Sequence, residues 1–175
     1  MTHIDWSHSI PRPTERIARS QLPWFERNGY EAQIKKNGIC LIVETNRVVT
    51  RKGKDASQLP GTCAWNARDL ARSGATLACE GMPNGHVFVW DLLRFENKPL
   101  YTMAWCDRRV LLYSLWLPDG VILEVRKEGF VEWYDELVGK EDEGLVVRDP
   151  NGRWGEKGWV FKCKRSEGEM QEGTA

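Results

Sequence analysis

The hydrophobic positions of this chain mostly alternate, in short runs separated by turn residues. "YEAQIKK" (30–36) carries apolar residues at every second position, as a strand buried on one face does, and "ICLIVE" (39–44) is a β-branched, apolar run of strand length. Asn37-Gly38 between them predicts a tight hairpin, because both residues tolerate positive φ. "NRVVTR" (46–51) reads as a third strand and "RKGKDASQLPGT" (51–62) as a loop. "ATLACEG" (75–81) and "HVFVWDLL" (86–93) read as strands joined by a Pro-Asn-Gly turn, and "GVILEV" (120–125) as another. "EGLVVRDPNG" and "GWVFKCKR" form a last strand pair around a turn.

Helical spacing occurs in "AWNARDLARSG" (64–74), which ends on a glycine suited to a C-terminal cap, in "CDRRVLLYSLW" (106–116) and in "EGFVEWYDELVG" (128–139). Strands arriving as hairpins with helices between them predict an α+β domain built on antiparallel sheet. Residues 1–23, rich in Pro, Ser and charge, read as an irregular lead-in, 24–165 as the folded domain, and 166–175 as a flexible tail.

Composition narrows the function classes. A chain of 175 residues suits one domain with a sizeable core. Lys+Arg and Asp+Glu balance at 25 each, which argues against gripping nucleic acid through bulk positive charge and leaves only a local basic cleft. No apolar run approaches the roughly 18 residues of a membrane span. The N-terminus "MTHIDWSHSIPRP" lacks the regions of a signal peptide. Cys40, Cys63, Cys79, Cys106 and Cys163 are scattered, with no C-x-x-C pair, so reduced thiols are expected rather than a disulfide framework or zinc site. These features predict a cytoplasmic, intracellular protein, of phage or cellular origin alike. Most of the nine tryptophans should be core residues, with a few available to stack on bases.

Several strands carry charge where a half-buried strand needs none. Lys35 and Lys36 precede a turn, Arg51 ends the third strand, and Glu80 ends an apolar strand before Gly81. Trp90 and Asp91 end another, Glu143-Gly144 opens "EGLVV", and Lys162 and Lys164 share one face of the last strand. Singly, each has an ordinary explanation as a solvated strand end, a core tryptophan or a charged sheet edge. Their order is more informative.

"KKNG" (35–38), "TRKG" (50–53), "ACEG" (78–81), "FVWDLL" (88–93), "EGLVV" (143–147) and "FKCKR" (161–165) follow one another as the motifs of the covalent nucleotidyltransferases do. The chain resembles the adenylation domain of ATP-dependent DNA and RNA ligases, a superfamily that also holds the mRNA capping enzymes. The helix "CDRRVLLYSL" looks like the one that follows the aromatic-Asp strand in ligases. The resemblance covers most of the chain. It implies an α+β, antiparallel-sheet, ATP-grasp-like nucleotidyltransferase domain, and ATP and Mg²⁺ as cofactors.

The resemblance also implies roles. Lys35 aligns with the nucleophile that attacks the α-phosphorus of ATP. An ammonium has no lone pair, so this lysine must shed its proton, aided by neighbouring positive charge. Lys162, Lys164 and Mg²⁺ would supply that field and neutralise phosphate oxygens. Trp90 would stack on adenine, Glu80 hold the ribose hydroxyls, and Arg51 contact the ribose or the acceptor phosphate. Glu143 would sit beside the metal and the α-phosphate. Base choice falls to the segment before the lysine, Gln33 and Ile34, where the Gln33 amide can accept from N6 and donate to N1 of adenine. Lys36, at the variable position, should point away and be solvated.

Three departures stand out. Asn37 replaces the usual Asp, Cys79 replaces the usual Gly before Glu80, and Ala175 follows Lys164 too closely for the C-terminal oligonucleotide-binding (OB) barrel of DNA ligases and capping enzymes. The expected function is a minimal ATP-dependent polynucleotide ligase acting on nicked or broken nucleic acid, DNA slightly favoured over RNA. A separate nucleic-acid-clamping protein would replace the barrel. The alternatives are a non-catalytic or partner-dependent nucleotide-binding subunit that keeps the fold, and an ordinary α+β interaction module.

Overall fold

The computed structural model describes residues 13, 15–44, 47–59, 74–115, 117, 120–137, 142–154 and 156–165. The predicted helix at 64–74 lies outside the described residues except for its closing Gly74. The described residues fall into two compact units. One is drawn from Gly38–Leu123 and Arg153–Gly155, the other from Pro11–Asn37, Glu124–Gly152 and Glu156–Ala175.

The second unit holds a sheet of β1 (Glu15–Arg16), β2 (Glu31–Lys35), β8 (Val125–Arg126), β9 (Gly144–Arg148) and β10 (Val160–Lys164), in the order β1-β10-β9-β2-β8. Its pairs are antiparallel except β1 with β10. Alternation sorts the side chains. Ala32, Leu145, Val147, Phe161 and Cys163 pack with Phe25 of helix α1 (Leu22–Arg27) and with Phe130, Trp133 and Tyr134 of helix α3 (Phe130–Glu136). Gln33, Lys35, Val146, Lys162 and Lys164 alternate with those residues and take the opposite face. The segment expected to be an irregular lead-in contributes β1, a 3₁₀ turn at Arg19–Gln21 and the start of α1, because Ile17 and Leu22 bury in this core.

The first unit holds β3 (Ile39–Glu44), β4 (Arg47–Thr50), β5 (Thr76–Gly81), β6 (Val87–Phe95) and β7 (Lys98–Pro99), in the order β4-β3-β5-β6-β7 and antiparallel throughout. Leu41, Val43, Leu77, Cys79, Val87, Val89 and Leu92 form its core with Leu112 of helix α2 (Trp105–Ser114). "GVILEV" is mostly not a strand. Ile122 makes one parallel bridge to Val89, and only Val125 joins the other sheet.

The tight hairpin expected at Asn37-Gly38 is not there. β2 pairs with β8 and β9, β3 pairs with β4 and β5, and the chain passes from one unit to the other at this dipeptide. Neither residue has a positive φ. Glycine is required at 38 for room: a Cβ there would stand 2.5 Å from the Gly81 carbonyl oxygen and 2.9 Å from Glu80 Cγ. A two-residue turn with both φ positive does occur at Glu96-Asn97 (φ 46° and 62°), between Phe95 and its partner Lys98.

Candidate active site

Lys35 ends β2, Glu143 precedes β9 and Lys164 ends β10, and the register puts Gly144 between the two lysines, paired with both. Because Gly144 has no side chain, both ammonium groups reach one carboxylate oxygen. Glu143 Oε2 is ion-paired to Lys35 Nζ and stands 2.9 Å from Lys164 Nζ. The Glu143 amide donates to the Lys35 carbonyl at 2.9 Å, and the Arg165 amide donates to the Glu143 carbonyl at 3.0 Å. Burial acts to raise the Glu143 carboxyl, but the two lysines outweigh it and hold the group below the ordinary glutamate range.

Gly144 is fixed twice over. Its φ is +132°, and a Cβ would press on the Cys163 carbonyl, 3.1 Å from that carbon and 3.2 Å from Lys164 Cα. The glycine of "EGLVV" is what lets β10 lie close enough for Lys164 to share the carboxylate.

One row further along the same face, Lys162, Val146 and Gln33 are register partners. Lys162 has no carboxylate within ion-pair distance among the described residues. Gln33 is only 2 % exposed, and its carbonyl oxygen accepts from Arg148 Nη1. The amide is therefore held by Arg148, within "EGLVVRDPNG", which was not among the residues singled out in the sequence. Ile34, grouped with the nucleotide-binding residues, packs its side chain toward the helix-covered core, so only its backbone is available to a ligand.

Lys36 is not solvated as expected. Its ammonium stands 2.9 and 3.0 Å from the two oxygens of Asp142, which is itself buried. Asp142 carried no signal beyond an acidic run, since its pairing depends on where β9 starts.

Arg51, Glu80 and Trp90 belong to the other unit. Glu80 is flanked in the register by Cys40 and Phe88, and its Oε1 accepts from the Gly38 amide at 3.1 Å. Cys79, the departure beside it, points into the core; burial raises its thiol well above the usual range, and Glu80 stays on the other face. Phe88, directly across from Glu80, opens the "FVWDLL" motif without an assigned role, and alternation from Val89 puts it on the Glu80 face. Arg51 donates its backbone amide to the Cys40 carbonyl at 3.1 Å, while its Nε is buried without a hydrogen bond.

Trp90 is the extra residue of a β-bulge: Ala78 pairs with Asp91 and Cys79 with Val89, so Trp90 falls between two successive register pairs. Bulges re-aim side chains in this way. Trp90 is 8 % exposed. Its neighbour Asp91 anchors a buried network. Arg108 of α2 grips it through Nε–Oδ1 at 3.0 Å and Nη2–Oδ2 at 2.7 Å, and Trp154 Nε1 donates to Oδ2 at 3.1 Å. The Arg108 guanidinium also lies 5.1 Å from the Trp154 ring centroid.

No family model and no curated protein matches the sequence. Solved structures do. The ligase domain of LigD from M. tuberculosis superposes with a TM-score of 0.62 at 20 % identity, over 78 % of this chain and 54 % of that one. A mycobacterial DNA ligase D complexed with ATP and MES gives 0.65 at 16 % identity, over 91 % and 61 %. An archaeal ATP-dependent RNA ligase gives 0.61 at 18 % identity, over 93 % and 49 %. The chain has the nucleotidyltransferase fold of ATP-dependent ligases. It spans about half to two thirds of those ligase chains, and at these identities the likeness is one of fold.

The ligase fold implies Mg²⁺, and few donors are present among the described residues to hold it. Among the described residues no three His, Cys, Asp or Glu side chains converge. Glu143 offers one carboxylate already neutralised by two ammonium groups. That suits an ion which keeps most of its water and takes its other oxygens from a phosphate, and does not suit a dedicated protein cage. Among the described residues no helix is long and apolar enough to cross a membrane.

Proposed function

We propose that this chain is the adenylation domain of an ATP-dependent polynucleotide ligase, and that its Lys35 carries AMP. The observation that carries the reading is the Lys35–Glu143–Lys164 cluster on one sheet face, an amine and a second cation brought to one carboxylate across Gly144. The resting Lys35 is an ion-paired ammonium. A triphosphate entering the lysine face competes with Glu143 for Lys164 and offers Lys35 a phosphorus. Once Lys35 has lost its proton to solvent, its nitrogen lone pair forms the N–P bond as the bond to pyrophosphate breaks and pyrophosphate leaves.

AMP then passes to a 5′-phosphate, with cleavage of the N–P bond, and a 3′-hydroxyl displaces it to seal the strand. Lys162 and Lys164 neutralise phosphate oxygens, and Mg²⁺ held beside Glu143 would add to that neutralisation. Gln33 and the backbone of Ile34 serve the base, Trp90 stacks on it, and Glu80 and Arg51 serve the ribose and the acceptor phosphate. The buried, unbonded Arg51 Nε supports a role in meeting an anion. DNA is favoured over RNA by the likeness of "EGLVVRDPNG" and "FVWDLL" to DNA-ligase motifs. Repair of nicked strands belongs to the same proposal.

The test is incubation with α-labelled ATP or GTP and Mg²⁺, followed by denaturation. An acid-labile AMP adduct that disappears in Lys35→Ala is expected. An adduct that survives Lys35→Ala, or none at millimolar ATP, refutes the reading. Nicked DNA and nicked RNA duplexes at several salt concentrations then identify the acceptor.

A further inference from the structure

Three strand ends meet at Glu143, and each contributes two consecutive residues. Lys35, Glu143 and Lys164 form the cluster described above. Their chain neighbours Lys36, Asp142 and Arg165 form a second cluster. Lys36 Nζ bridges both Asp142 oxygens at 2.9 and 3.0 Å. Arg165 donates Nη2 to the Asp142 carbonyl and its backbone amide to the Glu143 carbonyl, the latter at 3.0 Å. The Glu143 amide is tied to the Lys35 carbonyl. The Arg165 carbonyl in turn accepts from Arg16 Nη2 of β1 at 3.5 Å. Glu143 lies just outside the regular ladder of β9, which begins at Gly144. Its backbone is therefore held by these bonds, and Asp142 and Arg165 are both buried.

We infer that Lys36, Asp142 and Arg165 act as a clasp, positioning residues that hold the Glu143 carboxylate in register with Lys35 and Lys164. Consecutive residues on an extended chain point opposite ways, so one lysine can face the ligand while the next fastens the strand behind it. The second lysine of "KKNG" thus acquires a use. A carboxylate displaced by about an ångström loses its shared contact with both ammonium groups, and misplacements of that size cost up to about 100-fold in rate.

The catalytic part of the inference rests on Lys35 adenylylation; the clasp itself does not, and two readouts keep them apart. The first is amide hydrogen exchange. Lys36→Met keeps the aliphatic stem and removes the charge. It is expected to speed exchange at Glu143 and Arg165 about tenfold, while Val146 and Val147 within β9 keep their protection. The second is single-turnover adduct formation. Lys36→Met should slow the maximal rate about 10–100-fold with the ATP concentration at half-maximal rate within threefold, and Lys36→Arg should restore it. Lys36→Met with Asp142→Leu should recover melting temperature but not rate, since an apolar pair replaces the stability and not the tether.

Unchanged exchange at Glu143 and Arg165 in Lys36→Met overturns the clasp. So does faster exchange spread evenly over both sheets, which would signal a stability effect alone. A wild-type rate in Lys36→Met overturns its catalytic part. If the wild-type chain forms no Lys35 adduct, the adenylylation reading falls, and the exchange experiment alone decides the clasp.

Discussion

Replacing Gly144 by alanine should both destabilise the sheet and disable the lysine cluster. The new methyl would enter the space between β9 and β10, where the Cys163 carbonyl and Lys164 Cα already lie. The strands must part by about an ångström there, which is a large fraction of the attraction at each contact. Overpacking of this kind costs about 1–3 kcal/mol, and holding alanine at φ +132° adds about 1–3 kcal/mol more. The sum, about 2–6 kcal/mol, corresponds to a melting temperature lower by roughly 4–24 °C for a chain of this size. Gly29→Ala is the control: its φ is +75°, but nothing lies within 4 Å of the added methyl, so only the strain remains. Thermal melts followed by tryptophan fluorescence compare the two, and α-labelled ATP reports the cluster. Gly144→Ala melting within a degree of wild type and labelling at the wild-type rate would show that close approach of β10 is not what assembles the site.

The buried pair Asp91–Arg108 should behave as an all-or-none unit: Arg108→Met leaves an unpaired carboxylate and should cost about 3–5 kcal/mol by denaturant titration, with much of the loss recovered when Asp91→Leu is added. Stability should fall as pH drops below the ordinary glutamate value near 4.5, because Glu143 has its pKa lowered in the folded chain. That contribution is complete above the unfolded value and is lost as pH falls through the folded one. Glu143→Gln should flatten this part of the acid limb in pH-dependent melts, and an unchanged limb would contradict the lysine contacts. Native alkylation followed by mass spectrometry should label the half-exposed Cys40 and Cys106 before the buried Cys79 and Cys163, whose thiols become accessible only in denaturant.

Much of the candidate site was legible because it lies on strands. Period-two alternation puts Gln33 and Lys35 on one face and Lys162 and Lys164 on one face, whatever the partners turn out to be. The strands and helices with long periodic runs, such as "FVWDLL" and "CDRRVLLYSL", were readable for the same reason. What failed were local signals open to a tertiary override. Asn37-Gly38 has the composition of a hairpin turn, yet its glycine answers to Glu80 and Gly81, far away in sequence. Lys36 reads as solvated because it holds the variable position beside a turn and points to the opposite face; it pairs with Asp142, 106 residues on.

By itself, then, the sequence determined which residues share a face, which motifs occur, and in what order, since these follow from backbone periodicity and the chain's own linear sequence. Only the tertiary structure decided what those residues touch. It gave Gly38 and Gly144 their steric reasons, bound Gln33 to Arg148, paired Lys36 with Asp142, and made Trp90 a bulge residue. Each of these depends on strand register, a long-range quantity that a shift of one residue would reverse and that no local pattern encodes.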